Sequence, residues 1–213
     1  MCEIDWDLVL KFVSPTTSLL TFFVIVWGVL TWKNQVIFQK KLDLADEVAE
    51  VFSQMEDLFY DLRNPWLDGN EGMTRMTSEN EDPEVSKLLN TAYIPIERLN
   101  KQHHQELFGR IYKYKFRFKI YFGKEAVEGF DTILEIQKRI RVAAKTNYQS
   151  ILSAHKPLRE TDAQLADEFH KLCYCNNFKE GNMFDDEIHH QVIAAQQKVL
   201  KVYKSVMQES IRK

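Results

Sequence analysis

The sequence predicts an all-α protein in which an N-terminal transmembrane helix continues into an antiparallel helical bundle. Three observations predict this class. The 213 residues include only 7 glycines and 5 prolines, too few for the frequent turns of an all-β fold. A long uncharged stretch lies near the N-terminus, and two heptad-like rows of apolar residues lie farther along the chain. Apolar residues at 45% and charged residues at 28% argue against bulk disorder.

The membrane segment is the first predicted element. From Phe12 to Trp32 there are 21 consecutive residues without a charge, and about 20 such residues cross a hydrocarbon core about 30 Å thick. Ser14 as N-cap and Pro15 as first helical residue predict where the helix begins. A buried helix of a soluble protein and a cleaved signal peptide are the alternatives; the acidic start and the lack of a small-residue cleavage site argue against the second. The predicted domains are a tail at 1–11, a span at 12–32 and a helical bundle at 33–213.

The charges on either side of the span predict its orientation. The tail carries three acids and one lysine, whereas the far side carries Lys33, Lys40 and Lys41 before its first acid, Asp43. Because the basic flank of a span stays in the cytoplasm, we expect a single-pass protein of the bacterial inner membrane, N-terminus outside and bundle in the cytoplasm. Only three cysteines occur, which is no disulfide framework and fits a reducing compartment.

Two rows of apolar residues, each spaced 4, 3, 4, 3 and 4, predict the first and last long helices. The first row consists of Leu44, Val48, Val51, Met55, Leu58 and Leu62, and the second of Ile188, Val192, Ala195, Val199, Val202 and Val206. The first row has no helix breaker before it and predicts one helix from Pro15 to about Arg63, ended by Asn64-Pro65. The second predicts a last helix that begins near Asp185-Asp186.

Breakers and caps predict the elements between the two rows. The acid-rich residues 67–84 are expected to form a loop, and Asp82-Pro83 to begin a second helix that kinks at Pro95 and runs to Gly123. A third helix spans about 124–154 and ends before Lys156-Pro157. Then come a short helix capped by Thr161 or Asp162 that runs to about Cys175, and a turn at Asn176-Asn177 and Gly181-Asn182.

Each apolar row has two uses that the sequence leaves open. Its residues either fill the core of one bundle or pack, in part, between protomers of an oligomer. A span that feeds directly into a long helix brings neighbouring helices side by side. We therefore expect a homo-oligomer in contact with the lipid bilayer, with an unknown protein partner.

The segment 110–122 alternates basic and aromatic residues. Its basic residues, the candidate binding residues, are Arg110, Lys113, Lys115, Arg117 and Lys119. Alternation is typical of a strand, but Ile111, Tyr114 and Phe118 also fit one helical face, and the helical neighbours favour a helix. Three uses stay open: an aromatic core face with a solvated basic face opposite the acidic loop, a contact with an anionic leaflet, and nucleic-acid binding, which is possible but not favoured.

Arg98 and His103 are the alternative catalytic residues. Their R-x4-H spacing is similar to the motif of the HEPN ribonucleases, in which such a pair implies metal-free RNA cleavage, the histidine acting on a 2′-hydroxyl and the arginine holding a phosphate. Leu99 stands where that motif usually has a polar residue, and five residues turn a helix by about 140°. We therefore expect both side chains to lie outside the core without a catalytic role, and no catalysis.

Four side chains near the turn at 176–182 are the alternative metal ligands. They are His170, Cys173, Cys175 and His189. Zinc needs four such ligands in a tetrahedral array, and the C-x-C spacing differs from the usual C-x2-C. We therefore expect buried thiols and solvated histidines, with no metal and no cofactor.

Two groups of residues carry a resemblance to known proteins. One runs from Thr31-Trp-Lys-Asn-Gln through Leu44-Ala-Asp-Glu to Leu58-Phe-Tyr-Asp-Leu-Arg-Asn-Pro-Trp66, and the other is Phe184-Asp-Asp-Glu-Ile188. They resemble uncharacterised bacterial membrane proteins with one N-terminal span and a cytosolic helical bundle, which implies topology and fold but no activity. In architecture the chain is also similar to the HEPN-like single-span accessory proteins of Cas13b-type CRISPR systems, which form membrane pores in phage defence.

These observations predict a membrane-anchored helical interaction or assembly module. The second resemblance implies the alternative, a membrane-tethered RNase or pore-forming effector in phage defence.

Overall fold

The computed structural model describes residues 6–66, 69–77, 81–175 and 185–211. Within these ranges the regular structure is helical and contains no strand, which confirms the predicted all-α class. In chain order the helices are α1 (Trp6–Ser53), α2 (Met55–Arg63), α3 (Pro83–Asn100), α4 (Gln102–Phe122), a 3-10 turn (Glu125–Val127), α5 (Glu128–Ala154), α6 (Leu158–Thr161), α7 (Ala163–Cys173) and α8 (Glu187–Ile211). The chain forms two compact units, Met1–Asp43 and Leu44–Lys213.

The first unit consists mainly of α1, which is long and apolar enough to cross a membrane. Every side chain described between 17 and 35 is exposed. The helix begins at Trp6 and not at Pro15, so the predicted start was wrong. A proline inside a helix removes one backbone hydrogen bond, a loss that membrane-spanning helices tolerate.

The predicted single helix from Pro15 to Arg63 is interrupted by one residue, Gln54. The hydroxyl of Ser53 donates to the carbonyl of Glu50 at 2.7 Å, and the Gln54 N–H donates to Val51 at 3.2 Å, a step of three residues. A serine hydroxyl that competes for a helical carbonyl loosens the regular i to i−4 pattern. The apolar row keeps its register, since Val51 and Met55 are both fully buried.

The predicted second helix is two helices, and the break lies at Lys101 instead of a kink at Pro95. Pro95 is buried inside α3. The carbonyl of Arg98 accepts from the Lys101 N–H at 3.2 Å and lies 2.6 Å from the His104 ring nitrogen Nδ1. Because this carbonyl is taken by a tighter turn and a side chain, the α-helical pattern ends there. Asp82 caps α3 as predicted and accepts from the Glu84 N–H at 2.8 Å.

The later elements agree with their predicted caps. α5 ends at Ala154, followed by His155 in the left-handed conformation with φ of 52°. Asp162 caps α7 by accepting from the Leu165 N–H at 2.9 Å, and Asp186 accepts from the His189 N–H at 2.9 Å at the start of α8. The predicted turn at Asn176-Asn177 and Gly181-Asn182 lies outside the described residues.

Both apolar rows lie in the core of the second unit. The buried members of the two rows are Leu44, Val48, Val51, Met55, Leu58, Leu62, Ile188, Val192, Ala195, Val199 and Val206. Arg63 pairs with Asp186, while Gln196 donates to the carbonyl of Phe52 at 2.8 Å, so the row of α1 and α2 runs antiparallel to α8. Of the two open uses, the structure assigns these residues to the core of one bundle.

Two buried arginines fix the ends of this bundle. Arg63 donates to both carboxylate oxygens of Asp186 and to the carbonyls of Leu172 and Lys171 at 3.0 and 2.9 Å, which joins α2 to α7 and α8. Arg75 pairs with Glu81 and donates to Asn90 at 2.9 Å. The backbone of both flanking loops is thereby held by charge-assisted hydrogen bonds.

Candidate functional site

The segment 110–122 is helical, as predicted, and forms most of α4. Ile111, Tyr114 and Phe118 face the core and are buried. Tyr112, Phe116 and Ile120 are 59%, 69% and 64% exposed. At 100° per residue these three positions form a stripe about 80° wide on the side of α4 opposite the core face. The expectation of a purely basic outer face was therefore wrong, because α4 is apolar on two sides.

The basic side chains lie on both flanks of this outer stripe. Lys115 and Lys119 lie on one side of it, and Lys113 and Arg117 on the other. Within the described ranges Lys113 and Lys119 form no ion pair, whereas Lys115 pairs with Asp131. An apolar stripe with lysines on both sides is typical of helices that lie on an anionic bilayer surface.

The basic segment does not use the acidic loop as its counterpart. Arg110 and Arg117 reach Glu50 and Glu47 of α1, at 3.2 and 3.5 Å. The loop docks on α3 through its own contacts. Gly72, at φ of +82°, brings its backbone so close to α3 that an added Cβ would lie 2.2 Å from the Asn90 carbonyl. Glu71 of the loop pairs with Arg98 and Lys101.

Arg98 is a core residue and not the exposed helix residue we expected. It is 2% exposed. Its Nε donates to Glu71 at 2.9 Å and its Nη2 to the Trp66 carbonyl at 3.0 Å, with a further bond from Nη1 to the Asn64 carbonyl. A guanidinium held by a carboxylate and two carbonyls has no free edge to offer a phosphate. Sequence reasoning missed this role because Glu71 lies 27 positions away.

His103 is exposed, as expected, but the neighbouring His104 is fully buried. The two rings lie with their centroids 3.9 Å apart. His104 Nε2 has no hydrogen-bond partner within the described structure and faces the Asp61 carboxylate on α2, 3.9 Å away. One ligand atom from each of Asp61, His103 and His104 lies within 4.8 Å of the other two. The sequence signal for this cluster, adjacent histidines at a helix start, was in view but was not weighed as a ligand pair.

The four alternative metal ligands do not form one cluster. The Cys173 thiol is buried 3.8 Å from the Ile140 carbonyl, and burial raises its pKa to about 12. His170 is exposed and packs near the Tyr174 ring, with centroids 5.2 Å apart. His189 Nε2 lies 3.8 Å from Glu56 on α2. A buried thiol that stays protonated at neutral pH is a poor metal ligand, because the thiolate is the binding form.

An open cavity of about 780 Å³ lies between α3, α5, α6 and α7. Its walls include Leu88, Ile151 and Phe169, together with the buried Asn147. Its volume and lining, apolar with one buried amide, are those of ligand clefts in general.

Comparison with protein-family models, with curated proteins and with solved structures finds no match to this chain.

Proposed function

We propose that this chain is a membrane-anchored interaction module whose helical bundle rests on an anionic leaflet. The observation that carries the proposal is the exposure of the apolar part of α1. Leu19, Phe22 and Trp27 belong to this stretch, and Trp27 is 75% exposed. Because each exposed side chain of this kind costs about 1.5–3 kcal/mol in water, a run of them needs lipid around it.

The charges beside the span support an orientation with the bundle in the cytoplasm of a bacterium. The basic residues Lys33, Lys40 and Lys41 follow the apolar stretch, and the short tail before it is acidic. The basic flank of a span is retained on the cytoplasmic side.

Fusions at the C-terminus test this orientation. With the bundle in the cytoplasm, a C-terminal fluorescent protein is fluorescent and a C-terminal alkaline phosphatase is inactive, because the phosphatase needs the oxidising periplasm for its disulfides. The opposite pair of results would refute the orientation.

The outer stripe of α4 supports the lipid surface as the binding partner of the bundle. Tyr112, Phe116 and Ile120 supply the apolar contact, and Lys113 and Lys119 attract anionic headgroups. Two copies that paired through this stripe in antiparallel fashion about Phe116 would place Lys113 of one against Lys119 of the other. The charges therefore favour an anionic surface over self-pairing of α4. Because the span keeps the chain at the bilayer, even a weak contact is populated.

A spin label on the stripe tests the lipid contact. Phe116→Cys in a Cys2→Ser background places the label, since the raised pKa of Cys173 and the burial of Cys175 protect those thiols. In nanodiscs that contain anionic lipid we expect the label to collide more with oxygen and less with a water-soluble nickel chelate than in neutral nanodiscs.

Val142→Cys is the matched control for this label. Val142 is an apolar residue on α5, 57% exposed, without flanking lysines on both sides. A label at Val142 is expected to respond equally to both lipids. The same response at both sites, or no response at Phe116→Cys, would refute the leaflet contact.

Self-association remains part of the proposal, with contacts between spans as its basis. The apolar rows no longer support it, because they are buried in the chain's own core. Light scattering of the full chain in detergent is expected to give an oligomer, and a monodisperse monomer would exclude it. The alternative RNase function loses its phosphate ligand, since Arg98 is occupied by Glu71.

A further inference from the structure

The tautomer of the buried His104 is determined by its surroundings. Its Nδ1 lies 2.6 Å from the Arg98 carbonyl, and a carbonyl oxygen only accepts hydrogen bonds. Nδ1 therefore carries the hydrogen, and in the neutral ring Nε2 presents a bare lone pair. A histidine that ligates a metal through Nε2 commonly donates its Nδ1 hydrogen to a backbone carbonyl in this way.

The lone pair of His104 faces a second acceptor. Asp61 Oδ2 lies 3.9 Å from Nε2, and no described group donates to Nε2. A buried acceptor without a partner costs about 1–3 kcal/mol. Two acceptors that face each other need a proton or a cation between them. Burial, more than any other cause, lowers the pKa of His104, which opposes the protonated ring.

His103 supplies a third ligand. Its ring lies beside that of His104 at the start of α4, and the ligand atoms of Asp61, His103 and His104 all lie within 4.8 Å of one another. In a tetrahedral zinc site, bonds of 2.0–2.1 Å place ligand atoms about 3.3 Å apart. The exposed side chains of Asp61 and His103 can move inward by the remaining distance, while His104 stays fixed by Arg98.

We propose that Asp61, His103 and His104 bind a divalent transition metal, with zinc as the representative ion. Two imidazoles and one carboxylate are a ligand set that zinc accepts, with the fourth position left to water. The ion would join α2 to α4 beside the break at Lys101. This site is independent of the membrane anchor and of the leaflet contact in the proposed function.

Nearby positive charge sets the expected affinity. Lys101 and Arg98 both pair with Glu71, at 3.5 Å for Lys101, which offsets much of their charge. The positive end of the α4 dipole lies at His103 and His104 and opposes a cation. With one carboxylate in the ligand set, we expect a dissociation constant on the order of micromolar.

Metal titration of the full chain in detergent tests the site. The protein carries no polyhistidine tag and is first stripped with a chelator. We expect one zinc ion per chain, a rise in thermal midpoint with zinc because the ion binds only the folded site, and visible absorption typical of four-coordinate cobalt when Co²⁺ replaces zinc.

Ligand variants and matched controls decide the assignment. His103→Ala and Asp61→Asn change exposed side chains, so they keep the fold, and each is expected to weaken binding at least about tenfold. His170→Ala and Asp167→Asn, also exposed, are expected to bind like the wild type. No binding, which would leave a bridging water as the partner of His104, or equal binding in both ligand variants, would overturn the proposal.

Discussion

Two apolar stretches of α1 have opposite environments. Between 17 and 32 the apolar residues are exposed on all sides of the helix, whereas Leu44, Val48 and Val51 are fully buried. The difference lies in their spacing. The first stretch is apolar at nearly every position, which suits lipid; the second is apolar only every third or fourth residue, which suits one packed face. Hydrophobicity alone does not tell a core from a span, but its periodicity does.

The largest expected effect comes from a charge in the buried stretch. Met55→Glu places a carboxylate at a fully buried position without a partner, and we expect the bundle to lose more than about 4 kcal/mol or to fail to fold. Met76→Glu is the matched control, because Met76 is 96% exposed, and should change stability by less than about 0.5 kcal/mol. Thermal unfolding of the full chain in detergent, followed by circular dichroism, measures both. A folded Met55→Glu variant of normal stability would contradict the assignment of the row to the core.

The end of the buried stretch depends on Arg63. Arg63→Met removes the partner of Asp186 and the donors to two carbonyls, so we expect a loss of about 3 kcal/mol. Arg139→Met, at an exposed position on α5, should leave the unfolding midpoint nearly unchanged. Equal midpoints for the two variants would show that the Arg63 pair contributes little.

A charge in the exposed stretch should affect insertion and spare the bundle. Val24→Arg is expected to cost about 3 kcal/mol of insertion free energy near the middle of the span. Val142→Arg, on the bundle, should not alter insertion. The fraction that resists carbonate extraction measures the effect, and unchanged unfolding of the bundle in detergent would confirm that the two stretches act separately. Retention of Val24→Arg in the membrane at the wild-type level would argue against the span.

The smallest expected effect is the acid sensitivity of the Arg63–Asp186 pair. Burial alone would raise the pKa of Asp186, but hydrogen bonds from Arg63 and from the His189 N–H outweigh it and lower the pKa. The pair therefore stabilises the bundle above the unfolded-state value of about 3.9 and loses this contribution as the pH falls toward the folded-state pKa. Asp186→Asn should lower the unfolding midpoint at pH 7 and show less further loss on acidification than the wild type. Parallel pH profiles would contradict this role.

Most of the fold could be predicted because its signals are local. The cap at Asp162 and the ends of α2 and α5 depend on residues within one or two turns. The break at Lys101 could not be predicted, because it depends on the His104 ring reaching back to Arg98. Pro95 gave the stronger local signal for a kink, yet α3 continues through it.

The candidate sites were predictable only in part. The basic and aromatic residues of 110–122 stand out in the sequence, but the stripe formed by Tyr112, Phe116 and Ile120 needed the position of the core face. The predicted metal ligands shared a segment of chain, whereas Asp61 and His104 lie on different helices.

The sequence by itself determined the helical class, the apolar segment long enough to span a membrane, and the two apolar rows, because periodicity and uncharged length are properties of the chain. Only the tertiary structure decided the roles of single polar residues. Arg98 and His103 look equally exposed along the sequence, yet Arg98 is buried against Glu71 and His103 remains at the surface beside His104. The physical reason is that a charged side chain can be buried only where a distant segment supplies its counter-charge, and that pairing exists only once the helices have packed.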